Sequence, residues 1–139
     1  ALVEPLARVL ANLGVKKAMV VYGQDGLDEI SMSAPTTVCE VKDGEFLSYV
    51  ITPEQFGFTR CSKDELIGGS PQDNAQIALA ILKGEKGPRR DAVVLNSAAA
   101  IHIAKGISIE DAIREAQEVI ESGKALAQLE QFAALTNQE

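Results

Sequence analysis

Leu2, Leu6, Val9, Leu10 and Leu13 recur at helical spacing, and Gly14 supplies a stop, so the pattern predicts a first helix over Val3–Asn12. Residues 17–22 then carry Ala18, Met19, Val20 and Val21 in an unbroken apolar run that ends at Gly23. A run without alternation is the pattern of a strand buried on both faces, as in a parallel sheet. Residues 37–41 and 46–51 are rich in β-forming residues and are joined by Lys42-Asp43-Gly44-Glu45. The Asp-Gly pair is a strong hairpin signal, so these two segments form a β-hairpin.

Helix signals dominate the rest. Thr52-Pro53-Glu54-Gln55 places a capping threonine before proline and completes a capping box, predicting a short helical turn. Ser62-Lys63-Asp64-Glu65 offers another capping box. Ser70-Pro71 repeats the cap-then-proline device ahead of Ala75, Ile77, Ala78, Leu79, Ile81 and Leu82, a helix ending near Gly84. Pro88 starts the next helix, closed by Lys105-Gly106. Its core runs from Ala92 through Leu95 to Ala98, Ile101 and Ile103, apolar nearly all round, the mark of a helix buried in a larger body. Ser108 caps a last long helix with Glu110 and Asp111 in its first turn and a stripe from Ala112 and Ile113 to Leu129, loosened or kinked at Ser122-Gly123.

Helix-then-buried-strand order implies α/β packing: a central sheet flanked by helices, with a β-hairpin. No repeat and no linker divides residues 1–139, so no domain boundary is drawn. One parallel-type strand and one hairpin make a small sheet for these helices. The expectation is therefore that further strands and helices belong to an N-terminal part outside this chain. The opening at Ala1, without methionine and inside a helical pattern, points the same way.

Composition narrows the function classes. A chain of 139 residues with 46% hydrophobic and 24% charged residues reads as one ordinary globular domain. Its formal net charge of -7 provides no positive field to displace counterions from a nucleic-acid backbone, which disfavours DNA or RNA as a partner. Cys39 and Cys61 lack metal-ligand spacing and sit near apolar residues, the setting of small buried thiols in a reducing cytoplasm. No basic segment followed by an apolar run opens the chain, and no apolar stretch reaches bilayer length, so neither secretion nor a membrane partner is expected.

Candidate chemistry begins at "VVYGQDGLDEIS", where a short apolar stretch runs into two glycines and the adjacent carboxylates Asp28 and Glu29. Open α/β sheets bind ligands beyond the carboxyl ends of their strands. Mg²⁺ takes oxygen ligands, keeps waters, and needs only one or two protein carboxylates plus substrate phosphates. From spacing alone, a solvated loop or a helix N-terminus is the simpler account of the pair, because acidic residues are common in first helical turns. Gly23 and Gly26 permit a turn or close backbone approach, and Gly68-Gly69 reads as a turn, with no G-x-G-x-x-G or phosphate-loop lysine pattern. His102, the only histidine, reads as a partly buried structural residue. Asn96 and Ser97 have packing and hydrogen-bonding roles. Arg89-Arg90-Asp91 reads as a helix start with local charge pairing.

Four stretches follow one another in a known order: "VVYGQDGLDEIS", "ITPEQFGF", "LIGGSPQDNAQIALAILKGEKGPRRDAVVLNSAAAIHIA" and "SIEDAIREAQEVIESGKALAQL". Together they resemble the C-terminal portion of the anthranilate phosphoribosyltransferase family over essentially the entire chain. The resemblance implies the C-terminal part of a phosphoribosyltransferase/nucleoside-phosphorylase-like α/β domain. It implies an intact enzyme of tryptophan biosynthesis that joins anthranilate to phosphoribosyl pyrophosphate, releasing pyrophosphate. It also implies that Asp28 and Glu29 hold Mg²⁺, that the intact enzyme is a homodimer, and that this chain alone is inactive.

The family's N-terminal helical domain, its glycine-rich donor loop, its Lys-His-Gly-Asn segment and its anthranilate-contacting arginine have no counterpart in these residues. Tyr22 stands where the family often has histidine, and Ser70 where it often has aspartate; the latter reads as a helix-cap exchange. Two rival readings belong to other classes. A nucleic-acid-binding relative without transferase activity calls for a basic surface, which the acidic charge opposes. A pyrimidine nucleoside phosphorylase relative uses free phosphate and needs no Mg²⁺ pair, which the retained Asp28-Glu29 opposes.

Overall fold

The computed structural model describes residues 2–137. In chain order the elements are α1 (Val3–Asn12), β1 (Lys17–Gly23), β2 (Thr36–Lys42), β3 (Glu45–Ile51), two 3-10 turns (Pro53–Phe56 and Lys63–Leu66), α2 (Pro71–Leu82), α3 (Pro88–Lys105), α4 (Ile109–Glu121) and α5 (Lys124–Thr136). The three strands form one antiparallel sheet in the order β1-β2-β3. The hairpin register sets Lys42 opposite Glu45, with Asp43 and Gly44 as the two-residue turn at φ of 51° and 87°. Two positive φ values make a type I′ turn, whose twist matches the flanking strands.

The sheet divides the core into two layers by strand alternation. On one face Val38 and Ile51, with Met19 and Val21, pack against Val94, Leu95 and Ala98 of α3 and Ala112, Ile113, Ala116 and Ile120 of α4. On the other, Cys39 and Val41, with Ala18 and Val20, meet Val3 and Ala7 of α1. The continuous apolar run of β1 therefore has a different cause from the one expected. Both its faces are covered by helices, and it pairs antiparallel with β2, so the run reports two covered faces and not strand direction.

Three helices depart from their sequence patterns. On α1 the sheet takes Val3 and Ala7, while Leu2, Leu6, Val9 and Leu13 are exposed. On α3 only Arg90, Val94, Leu95 and Ala98 are buried, and Ser97 and Ala100 face solvent. The long final helix is two, broken at Ser122-Gly123, where Gly123 adopts φ 75°. That conformation suits glycine and ends α4. Capping follows the sequence reading: Ser70 Oγ accepts the Asp73 N–H at 3.2 Å, and Gln55 Oε1 accepts the Thr52 N–H at 2.9 Å. The Thr52 and Ser62 boxes open 3-10 turns.

Candidate functional site

Residues 24–35 connect β1 to β2 as a long loop whose two ends are held together. Gly23 pairs with Thr36 in the sheet, and the Gln24 N–H donates to the Pro35 carbonyl at 2.8 Å. Inside the loop the Gly23 N–H donates to the Leu27 carbonyl at 2.9 Å, folding the chain back over the strand end. Gly23 is required there by space. A Cβ on it would lie 2.8 Å from Asp25 Oδ1 and 3.1 Å from the Cβ atoms of Leu27 and Ser31.

The loop is anchored to the core. Ile30 and Met32 are buried in the α3–α4 side of the core, and Ser31 between them is also buried. Asn96 of α3 closes a reciprocal pair on Ile30: its Oδ1 accepts the Ile30 N–H and its Nδ2 donates to the Ile30 carbonyl, both at 2.9 Å. The Ser31 N–H donates to Thr36 Oγ1 at 3.0 Å, and the Cys61 N–H to the Met32 carbonyl at 3.0 Å. Backbone polar groups taken out of water need such partners.

Asp28 and Glu29 sit on this loop directly before the clamped Ile30, both exposed. They lie in a loop and not at a helix N-terminus. Among the described residues, no ion pair engages either carboxylate. Glu29 borders a groove of about 430 Å³ between the loop, α2 and α3, walled mainly by Leu27, Leu66, Ile77 and Val93. The donor set suits Mg²⁺: two accessible oxygen-bearing side chains on a fixed backbone, with open space for waters and a ligand's oxygens. No cluster of three or more His, Cys, Asp or Glu residues that could cage a metal occurs among the described residues. Mg²⁺ does not require one.

Asp25 belongs to the same loop, and the sequence reading passed over it. Burial pushes its carboxyl up, but the Ser33 and Ser31 hydroxyls that donate to it, helped by the nearby backbone dipoles of Asp25 and Leu27, outweigh this and hold it below the usual range. The signal available in the sequence was the Ser31-x-Ser33 spacing, two hydroxyls on the return of the loop. Asn96, a lone amide in an apolar helix, was assigned hydrogen bonding, and its partner is the site loop itself.

The other candidates lie apart from this loop. His102 is half-buried, with Nδ1 against the Ile107 carbonyl and Nε2 3.4 Å from Glu40 Oε1, a structural setting. Arg89 and Arg90 do not pair locally as expected. Arg89 Nη2 donates to the Ile67 carbonyl at 2.7 Å, and the buried Arg90 reaches across to Glu121 on α4 at 2.8 Å. Burial pushes the Asp91 carboxyl up, and the neighbouring Arg90 charge only partly offsets this. Helices α3 and α4 are set at 117° to each other, which brings the N-terminus of α3 to the end of α4.

Comparison with known proteins agrees with this architecture. Anthranilate phosphoribosyltransferase of Methanobrevibacter smithii is 60% identical over 137 residues, covering 98% of this chain and 41% of the relative. The protein of that name from Lachnoclostridium phytofermentans is 54% identical over 138 residues, covering 99% and 41%. This chain thus spans about two fifths of the length of these curated relatives. The crystal structure of anthranilate phosphoribosyltransferase from Thermus thermophilus superposes with a TM-score of 0.86 at 38% identity, over 96% of this chain and 39% of that one. The Saccharomyces cerevisiae enzyme in complex with PRPP and Mg gives a TM-score of 0.86 at 27% identity, over 94% and 38%. The resemblance read from the four ordered stretches is borne out. Residues 1–126 match the glycosyl transferase family, a/b domain, and the chain belongs to that family.

Proposed function

We propose that this chain is the C-terminal part of the α/β domain of an anthranilate phosphoribosyltransferase, which transfers phosphoribosyl from phosphoribosyl pyrophosphate to anthranilate. One observation carries the reading: Asp28 and Glu29 are exposed, without an ion-pair partner among the described residues, on a loop whose backbone is clamped immediately after them. The names of the relatives and the yeast complex with PRPP and Mg support it.

Asp28 and Glu29 are the residues that would hold Mg²⁺. Bound there, the ion supplies stabilisation for the negative charge that grows on departing pyrophosphate. The chain's own part is placement. Buried Ile30 and Met32, the Asn96 clamp and the Gly23–Thr36 pairing fix where the two carboxylates stand, so little ordering remains when a donor binds. Two adjacent carboxylates also repel each other, and a cation relieves that repulsion. The amine of anthranilate attacks an electron-poor ribose carbon, which asks for orientation more than for a strong base. No side chain of this chain is assigned as a base, and His102 is engaged elsewhere.

The same reading makes the full-length protein a cytoplasmic homodimer without nucleic-acid or membrane partners. The free thiols of Cys39 and Cys61 fit a reducing compartment, and the net charge of -7 opposes nucleic acid. The test is the double variant Asp28→Asn, Glu29→Gln in the full-length protein. Turnover of anthranilate should fall by about 100-fold or more and its Mg²⁺ dependence should weaken, the scale on which charge-stabilising groups act. Unchanged kinetics would remove the metal role.

A further inference from the structure

The loop that presents Asp28 and Glu29 is organised around a third carboxylate that the reading above leaves without a role. Asp25 Oδ2 accepts the Ser31 hydroxyl at 2.8 Å and also the Ser33 hydroxyl. Ser31 Oγ in turn accepts the N–H groups of Ser33 at 2.9 Å and Ala34 at 3.1 Å. Lys63, on the second 3-10 turn, donates Nζ to the Asp25 carbonyl at 2.6 Å. Asp25 therefore ties the outgoing limb of the loop to its return limb and to the neighbouring turn. Asp28 and Glu29 stand on the crest between these tied points. The tie has a cost, since Asp25 Oδ1 is buried with no hydrogen-bond partner among the described residues.

We propose that Asp25 is a positioning residue for the metal pair: by gathering Ser31 and Ser33 it fixes the crest of the loop, and with it the mutual placement of Asp28 and Glu29, without touching the ion. The inference rests on the proposed metal role of that pair. Asp25 is unsuited to be a ligand itself, because Oδ2 is occupied by two hydroxyls and Oδ1 is buried. Its action is through geometry, as for the outer partners that orient metal ligands in general.

Two measurements on the full-length protein test this together: Mn²⁺ titration in the presence of phosphoribosyl pyrophosphate, followed by paramagnetic broadening of amide NMR signals, and hydrogen exchange of the metal-free protein. In the wild type, broadening should centre on residues 27–30. Asp25→Ala should weaken Mn²⁺ binding about tenfold, the usual scale for losing an outer partner. It should also speed exchange of the amides of residues 26–30 while those of α4 keep their wild-type rates. Asp25→Asn keeps an acceptor oxygen for both hydroxyls and should recover most of the affinity. Ser33→Ala removes one arm of the tie and should shift both readouts in the same direction, even if Asp25→Ala fails to fold. Wild-type affinity and exchange in the Ala variants would overturn the positioning role. So would an Asn variant as weak as Asp25→Ala, because charge and not the tie would then be the cause. Absence of broadening at residues 27–30 in the wild type, with faster loop exchange in Asp25→Ala, would overturn the metal reading and leave the tie standing.

Discussion

Asn96→Ala is the substitution from which most can be learned about how the site loop is held. Asn96 supplies the only partners of the Ile30 N–H and carbonyl among the described hydrogen bonds, both at 2.9 Å. Ile30 is 3% exposed, so water reaches those two groups poorly once the amide is gone. Each backbone group left in that state costs about 1–2 kcal/mol, so the pair costs about 2–4 kcal/mol. Alanine is the better helix former by roughly 0.5 kcal/mol, which offsets a small part. The net loss is then about 1.5–3.5 kcal/mol, a large share of the roughly 5–15 kcal/mol that stabilises a typical domain. Urea unfolding should show a lower midpoint at unchanged slope, and Tm should fall by about 5–10 °C. Ser97→Ala, next along the helix and exposed, serves as control and should stay within about 0.5 kcal/mol of wild type. An Asn96→Ala protein as stable as that control would refute the clamp.

Gly23→Ala should destabilise by about 1–3 kcal/mol in the same urea assay, because the new methyl would lie 2.8 Å from Asp25 Oδ1 and 3.1 Å from two side-chain carbons; no change would mean the loop does not fold over the strand end. The Asp25 carboxyl is held below its usual range, so its contribution is present above that range and is lost as pH falls through the folded value. The stability gap between wild type and Asp25→Asn should accordingly be widest near neutrality and close in acid, and a gap independent of pH would contradict the assignment. Ser70→Ala should cost about 1 kcal/mol as a lost helix cap, and Ser70→Asp should not restore wild-type melting: its carboxylate can accept the Asp73 N–H but loses the hydroxyl that donates to Asp73 Oδ2 at 2.7 Å and sets two like charges together.

Sequence was most legible where local chemistry decides structure. Asp43-Gly44 specifies its own turn, and Ser70-Pro71 and Ser108 mark helix starts that the structure keeps. It was least legible where the pattern of apolar residues answers to more than one neighbour. The run Ala18 to Val21 is covered on both faces in an antiparallel sheet, and periodicity carries no information on strand direction. On α1 the leucines look like the buried stripe, yet Val3 and Ala7 meet the sheet and Leu2, Leu6, Val9 and Leu13 are exposed. The carboxylate pair could be picked out by its place after a strand. What holds it could not: Asn96 lies 66 residues from Ile30, and Asp25 acts through hydroxyls that only the folded loop brings near.

The most direct measurement is an anomalous-scattering map of the full-length protein crystallised with Mn²⁺ in place of Mg²⁺ and with phosphoribosyl pyrophosphate. A metal peak is expected within bonding distance of carboxylate oxygens of Asp28 and Glu29, with donor phosphate oxygens completing its shell. Metal bound to the donor with both carboxylates turned to solvent would contradict the metal role of the pair.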